Sequence, residues 1–165
     1  MEESLAYYSH LLPPSSVLVP LKARTKEAAL DELFSEIGLL RHLDAIHNLK
    51  EAVLRREREC STGLGHGIAV AHGKCEGLTD IFLTLGVSYG GVDYRSCDGR
   101  PVHLLFVAAN PPSMHHVYLD MLACLTRFLH NDAVREQLVG REAHILRELL
   151  HQALIPGERS FPISA

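Results

Sequence analysis

The chain has 165 residues, 47% of them hydrophobic and 22% charged, with a formal net charge of −4. That is ordinary globular material, enough for one domain with a sizeable core, and its acidic balance argues against non-specific nucleic-acid binding, which needs a basic surface. No apolar run approaches the ~20 residues of a bilayer span and the opening MEESLAYYSH lacks a basic-then-apolar leader pattern, so a soluble cytoplasmic protein without membrane insertion is expected.

In chain order, a proline turn in LLPPSSVLVPL leads into a short strand at Val17–Val19. Thr25 reads as a helix N-cap, and Ala29, Leu30, Leu33, Phe34 and Ile37 are spaced along one face of a helix over Lys26–Leu40. A second helix over His47–Glu59 turns Leu49, Ala52 and Val53 inward and carries a charge-rich outer face. The run RERECSTGLGHGIAVAHGK follows. Its apolar stretch Ile68–Ala71, bounded by Gly67 and Gly73, predicts a buried strand that delivers His72 at its C-terminal end, where a side chain is rigid yet reachable. A neutral imidazole held that way suits nucleophilic or proton-transfer chemistry near pH 7.

Leu78–Val87 and Val102–Ala108 read as further strands, with Asp98-Gly99 as a hairpin signal between them. After the loop Asn110-Pro111-Pro112-Ser113, a helix is expected over His115–Leu129, with Leu119, Leu122, Leu125, Phe128 and Leu129 on its apolar stripe. Two more helices follow, from Asn131-Asp132 through Leu138 and from about Glu142 to Leu154, before a loose tail, PGERSFPISA. Helices alternate with strands through one core, so the fold class is α/β: a single domain spanning 1–165, with its core at about 11–154 and a mixed β-sheet flanked by helices.

Cys60, Cys75, Cys97 and Cys124 form no C-x-x-C pair, and reduced thiols are expected. Eleven histidines raise the idea of a metal-dependent hydrolase, but there is no H-E-x-x-H and no carboxylate cluster beside them. No metal or cofactor is expected. His103 alternates within a strand and reads as a packed or edge residue.

The stretch STGLGHGIAVAHGK resembles the phosphorylation-site signature of enzyme IIA domains of the bacterial phosphotransferase system, in the fructose/mannitol class that includes the nitrogen-regulatory IIA proteins. That signature reads approximately R-E-x-x-x-S-T-G-I-G-x-G-I-A-I-P-H-G. Arg56 and Glu57 hold its leading positions, Ser61, Thr62, Gly63, Gly65 and Gly67 its middle, and His72-Gly73 its end. Flanking blocks resemble the family in order, including LLPPSSVLVPLKARTKEAALDELFSEIG, GVDYRSCDGRPVHLLFVAANP and MLACLTRFL, so the likeness covers roughly residues 11 to 150.

The resemblance implies an enzyme IIA mannitol/fructose-type fold and a phosphohistidine relay. His72 would take a phosphoryl group through Nε2 from phosphorylated HPr, or its nitrogen-branch homologue, and pass it to a IIB domain or use it as a signal. Arg56 offers paired planar donors to the phosphoryl oxygens, Thr62 a hydroxyl, and the backbone at Gly63, Gly65 and Gly67 an anion cradle. Three departures stand out. Ala71 replaces the usual proline and His66 the usual asparagine. Tyr118 falls where the family carries a second active-site histidine, with His115 and His116 just upstream as auxiliary candidates. A tyrosine donates one hydrogen bond but is a poor acid–base group at neutral pH. Slowed transfer, or a regulatory binding module that is not phosphorylated and controls a transporter or kinase partner, is the alternative.

Overall fold

Apolar residues alternate between two faces along the central strands, and this alternation builds the molecule. The computed structural model describes residues 11–41 and 44–154; the expectations for MEESLAYYSH and the PGERSFPISA tail fall outside them. Among the described residues five strands form one sheet in the order β1-β4-β5-β3-β2, where β1 is Val17–Leu18, β2 Gly63–Gly65, β3 Ile68–Lys74, β4 Phe82–Val92 and β5 Val102–Asn110. The sheet is mixed: β1 runs parallel to β4 and β3 parallel to β5, whereas β4–β5 and β2–β3 are antiparallel.

Ile68, Val70, Leu104, Phe106 and Ala108 project into a cluster with Tyr118, Met121, Leu125, Leu146 and Leu150. Ala69, Ala71, Leu105, Val107 and Ala109 project the other way, against Leu30, Leu33, Leu49 and Val53. Strands buried on both faces read as near-continuous apolar runs, and helices therefore cover both sides. One layer holds α1 (Lys26–Glu36), α2 (Gly38–Arg41) and α3 (Ile46–Glu59); the other holds α4 (His115–Leu129), α5 (Asp132–Val139) and α6 (Ala143–Leu154). No helix among the described residues is long and apolar enough to cross a membrane.

The structure corrects several expected boundaries. The first helix stops at Glu36 because Ile37 turns extended at ψ 113°, and Gly38–Arg41 forms a separate short turn of helix. Thr25 stands at the N-cap position but its side chain makes no capping hydrogen bond. The strand expected over Leu78–Val87 starts at Phe82 and continues to Val92, carrying Tyr89-Gly90-Gly91 with it. Asp98-Gly99 turns inside a longer connection and does not close a two-residue hairpin: Gly99, at φ +69°, donates its N–H to the Ser96 carbonyl. On α4, Leu119 is exposed, and the buried stripe runs through Tyr118, Met121, Leu125, Phe128 and Leu129.

Candidate functional site

Strand β3 does not end before His72; it runs on to Lys74. The strand pleat sends His72 the same way as Ile68 and Val70, toward α4. Gly73 faces the opposite layer, where a Cβ would come within 3.1 Å of the Val53 backbone nitrogen. The parallel partner β5 ends alongside, with Lys74 opposite Asn110. This is the carboxyl end of two parallel strands, where α/β folds place their ligand sites.

His72 is half-buried and lines a cavity of about 320 Å³. From α3 the cavity receives Ala52, Arg55, Arg56 and Glu59; from the strand ends Gly73, Lys74 and Asn110; and from the first turn of α4 His115 and Tyr118. Nδ1 of His72 lies 3.3 Å from the Val70 carbonyl oxygen. A carbonyl can only accept, so Nδ1 holds the proton and Nε2 keeps its lone pair. Burial pushes the His72 pKa below its ordinary value; the Val70 hydrogen bond opposes this, and the Arg56 guanidinium adds to the lowering. Both observations favour a neutral imidazole at pH 7.

Tyr118 is 2% exposed. Its ring lies between two imidazoles, with centroids 5.9 Å from His72 at a tilt of 34° and 5.8 Å from His115 at 20°. Burial pushes the Tyr118 phenol up to about 12, with Arg56 pulling against it, so the hydroxyl keeps its proton. Arg56 is half-exposed and donates to the Cys60 carbonyl at 3.1 Å, which orients the guanidinium along the end of α3.

Arg56, Tyr118 and His115 thus join His72, as the sequence reading expects. Thr62 does not. It is buried, its hydroxyl donates to Glu57, and its backbone N–H donates to the same carboxylate at 3.0 Å. Nor do Gly63, Gly65 and Gly67 line the cavity. They form β2 and the turn into β3, and Gly67 accepts from the His103 and Leu104 backbone N–H groups. The glycine turn enters β3 while His72 sits toward its far end, about 13 Å away at strand rise, so it is no cradle for a group on that ring. His66 lies on this turn at φ +54°, its N–H held by Asp98 Oδ2 at 2.8 Å, and lines a separate cavity with Arg100, His103 and Arg135. His116, exposed on α4, does not line the His72 cavity. Among the described residues no cluster of three or more metal-ligating side chains occurs.

Sequence reasoning missed Arg55, Lys74 and Asn110. Arg55 reads as part of a solvated helix face, and Lys74 and Asn110 come together only through the β3–β5 register. The one available signal was that both close apolar runs long enough to be parallel strands.

Gly73 sets the distance between α3 and β3, and so between Arg56 and His72. Gly73→Ala is expected to lower stability by about 1–3 kcal/mol through overpacking and to slow any reaction needing both residues. Urea denaturation checks the first effect and a rate measurement the second.

The family model described as "Phosphoenolpyruvate-dependent sugar phosphotransferase system, EIIA 2" matches residues 10–152. The PTS system fructose-specific EIIABC component of Bacillus subtilis is 33% identical over 135 residues, 82% of this chain, which spans only 21% of that relative's length. A nitrogen regulatory protein of Bradyrhizobium diazoefficiens is 30% identical over 141 residues, covering 85% of this chain and 92% of its own. Among solved structures, the nitrogen regulatory protein IIA-Ntr of Neisseria meningitidis superposes with a TM-score of 0.78 at 27% identity, covering 86% of this chain and 97% of its own. The mannitol enzyme IIA of Escherichia coli, solved in complex with phosphorylated enzyme IIB, superposes at 0.68 and 24% identity over 86% and 97%, a likeness of fold.

Proposed function

The chain belongs to the EIIA type 2 family of the phosphoenolpyruvate-dependent sugar phosphotransferase system, and on that premise we propose that His72 is its phosphoryl carrier. Family membership implies phosphoryl transfer between proteins. The observation that carries the assignment to His72 is its Nε2 lone pair, left free by the Nδ1–Val70 contact in an open cavity beside Arg55, Arg56 and Lys74.

Nε2 attacks the phosphorus of a phosphohistidine on an HPr-like protein, or on its nitrogen-branch homologue. The new N–P bond forms as the donor's N–P bond breaks, and that electron pair returns to the donor ring. The His72 ring keeps its Nδ1 proton against the Val70 carbonyl, which offsets the positive charge the ring gains. The transferring group spreads charge over three oxygens, so stabilisation rests on positioned cations and donors, a role for Arg56. The group then passes to a IIB domain or serves as a regulatory mark, in the cytoplasm where such carriers meet. No metal or cofactor enters the scheme.

Neutral imidazole is the reactive form. Burial lowers the His72 pKa from 6.5, so acceptance stays constant above pH 7 and falls only as the pH drops through that lowered value. An NMR titration of the ring should find its midpoint below 6.5; a midpoint above it contradicts the assigned environment.

A second reading is favoured by Tyr118 standing where the family carries a histidine: a regulatory module of the same fold that is never phosphorylated. Incubation with a phosphorylated HPr-type carrier separates the two. Acid-labile, base-stable phosphate on His72 supports the carrier; its absence supports the module.

A further inference from the structure

Five buried side-chain polar atoms among the described residues have no hydrogen-bond partner: Ser88 Oγ, Ser96 Oγ, His115 Nδ1, Tyr118 Oη and His151 Nε2. Two of the five belong to residues lining the His72 cavity. An orphaned buried polar atom is costly, and native proteins keep few of them. Two in one cavity, beside cations and an available nucleophile, mark a place where an oxygen-rich group is received. Both lie on the first turn of α4, three residues apart on one helix face. That helix end also presents the positive pole of its dipole, which favours an incoming dianion.

We propose that the Tyr118 hydroxyl and His115 Nδ1 are a paired set of donors held open for the phosphoryl oxygens on His72, so that two side chains share the work of the family's second histidine. This rests on the carrier reading above. No proton crosses between carrier and acceptor in that transfer, so the second position has to donate a hydrogen bond, not a proton. A phenol meets that need, and one protonated up to about pH 12 keeps donating throughout the physiological range. His115 stacks on the Tyr118 ring at 5.8 Å, fixing the phenol and setting its own nitrogen beside the same cavity. His116, one position on, faces away and has no part.

Removing an orphaned hydroxyl should stabilise the empty protein while damaging the loaded one. Tyr118→Phe keeps the ring and its stacking. It should raise the melting temperature by about 2–4 °C and slow acceptance of labelled phosphate from a phosphorylated HPr-type carrier by about 10- to 100-fold. His115→Phe should slow acceptance by about 10-fold without lowering the melting temperature. In each variant that still labels, the 31P resonance of the phosphohistidine should shift, which a purely structural role would not cause. Acceptance within two-fold of the parent in either variant overturns the pairing, as does a slower variant whose melting temperature falls. His72→Ala runs in parallel. If it still labels at the parent rate, the carrier reading itself fails; if it is silent while Tyr118→Phe and His115→Phe are normal, only the pairing fails.

Discussion

His72→Ala is expected to abolish phosphoryl acceptance, with label incorporation falling by at least three orders of magnitude, the scale seen when an enzyme loses its nucleophile. No other cavity residue is placed to substitute. Arg55, Arg56 and Lys74 are cationic, and His115 Nδ1, in the donor role proposed above, carries a proton and offers no lone pair. Folding should survive. The ring is half-buried at a cavity wall, and its one polar contact among the described residues is the 3.3 Å approach to the Val70 carbonyl. A substitution at such an edge, leaving no buried charge behind, changes stability by about 1 kcal/mol or less. Label incorporation and thermal denaturation on one preparation give both readouts. Parent-level labelling in a folded variant would remove the imidazole from the mechanism, and a variant that fails to fold would show that His72 is structural.

The sequence carried the local periods well and the long-range pairing poorly. Alternation of Ile68 and Val70 against Ala69 and Ala71 was visible as a buried strand, and it fixes the face to which His72 points. Arg56 was legible through the resemblance alone, in which it holds a leading position of the signature. The place of the glycine turn was not legible, because closeness in sequence is not closeness in space: Gly63–Gly65 pairs antiparallel with the beginning of β3, so the chain moves toward His72 only after leaving the turn. Thr62 stands apart from the site for a related reason. Nothing in its neighbours announces that Glu57, one turn from the end of α3, will fold inward and claim its hydroxyl. The exposure of Leu119 and burial of Tyr118 likewise depend on the angle at which α4 meets the sheet, which periodicity alone does not set.

Lys26→Met is expected to lower stability by about 3–5 kcal/mol, because it strands a buried carboxylate. Lys26 Nζ lies 2.8 Å from Glu57 Oε1, with side chains 9% and 4% exposed, and sits 4.7 Å above the Tyr94 ring. Glu57 also accepts from the Thr62 backbone and hydroxyl and from the Tyr94 hydroxyl at 3.1 Å. Burial alone would push the Glu57 carboxyl up, but Lys26 and the Thr62 donors outweigh it and hold it below its ordinary 4.5. The stabilisation from this group is therefore complete above pH 4.5 and drains away as the pH falls through the lowered folded value. In Lys26→Met the carboxyl should rise and the loss of stability should begin at higher pH, while Lys26→Met combined with Glu57→Leu should recover much of the deficit, since a paired apolar replacement leaves no orphaned charge. The consequence reaches the site because the same carboxylate ties Thr62, just before β2, to α3 one residue from Arg56. In the double variant, which lacks the carboxylate, the end of α3 loses its tie to Thr62 and Arg56 its fixed position, so acceptance at His72 should slow even though the protein remains folded. Urea denaturation across pH 4–8 reads the first effect and label incorporation at low temperature the second; a loss under 1 kcal/mol would mean that the pair is incidental to both.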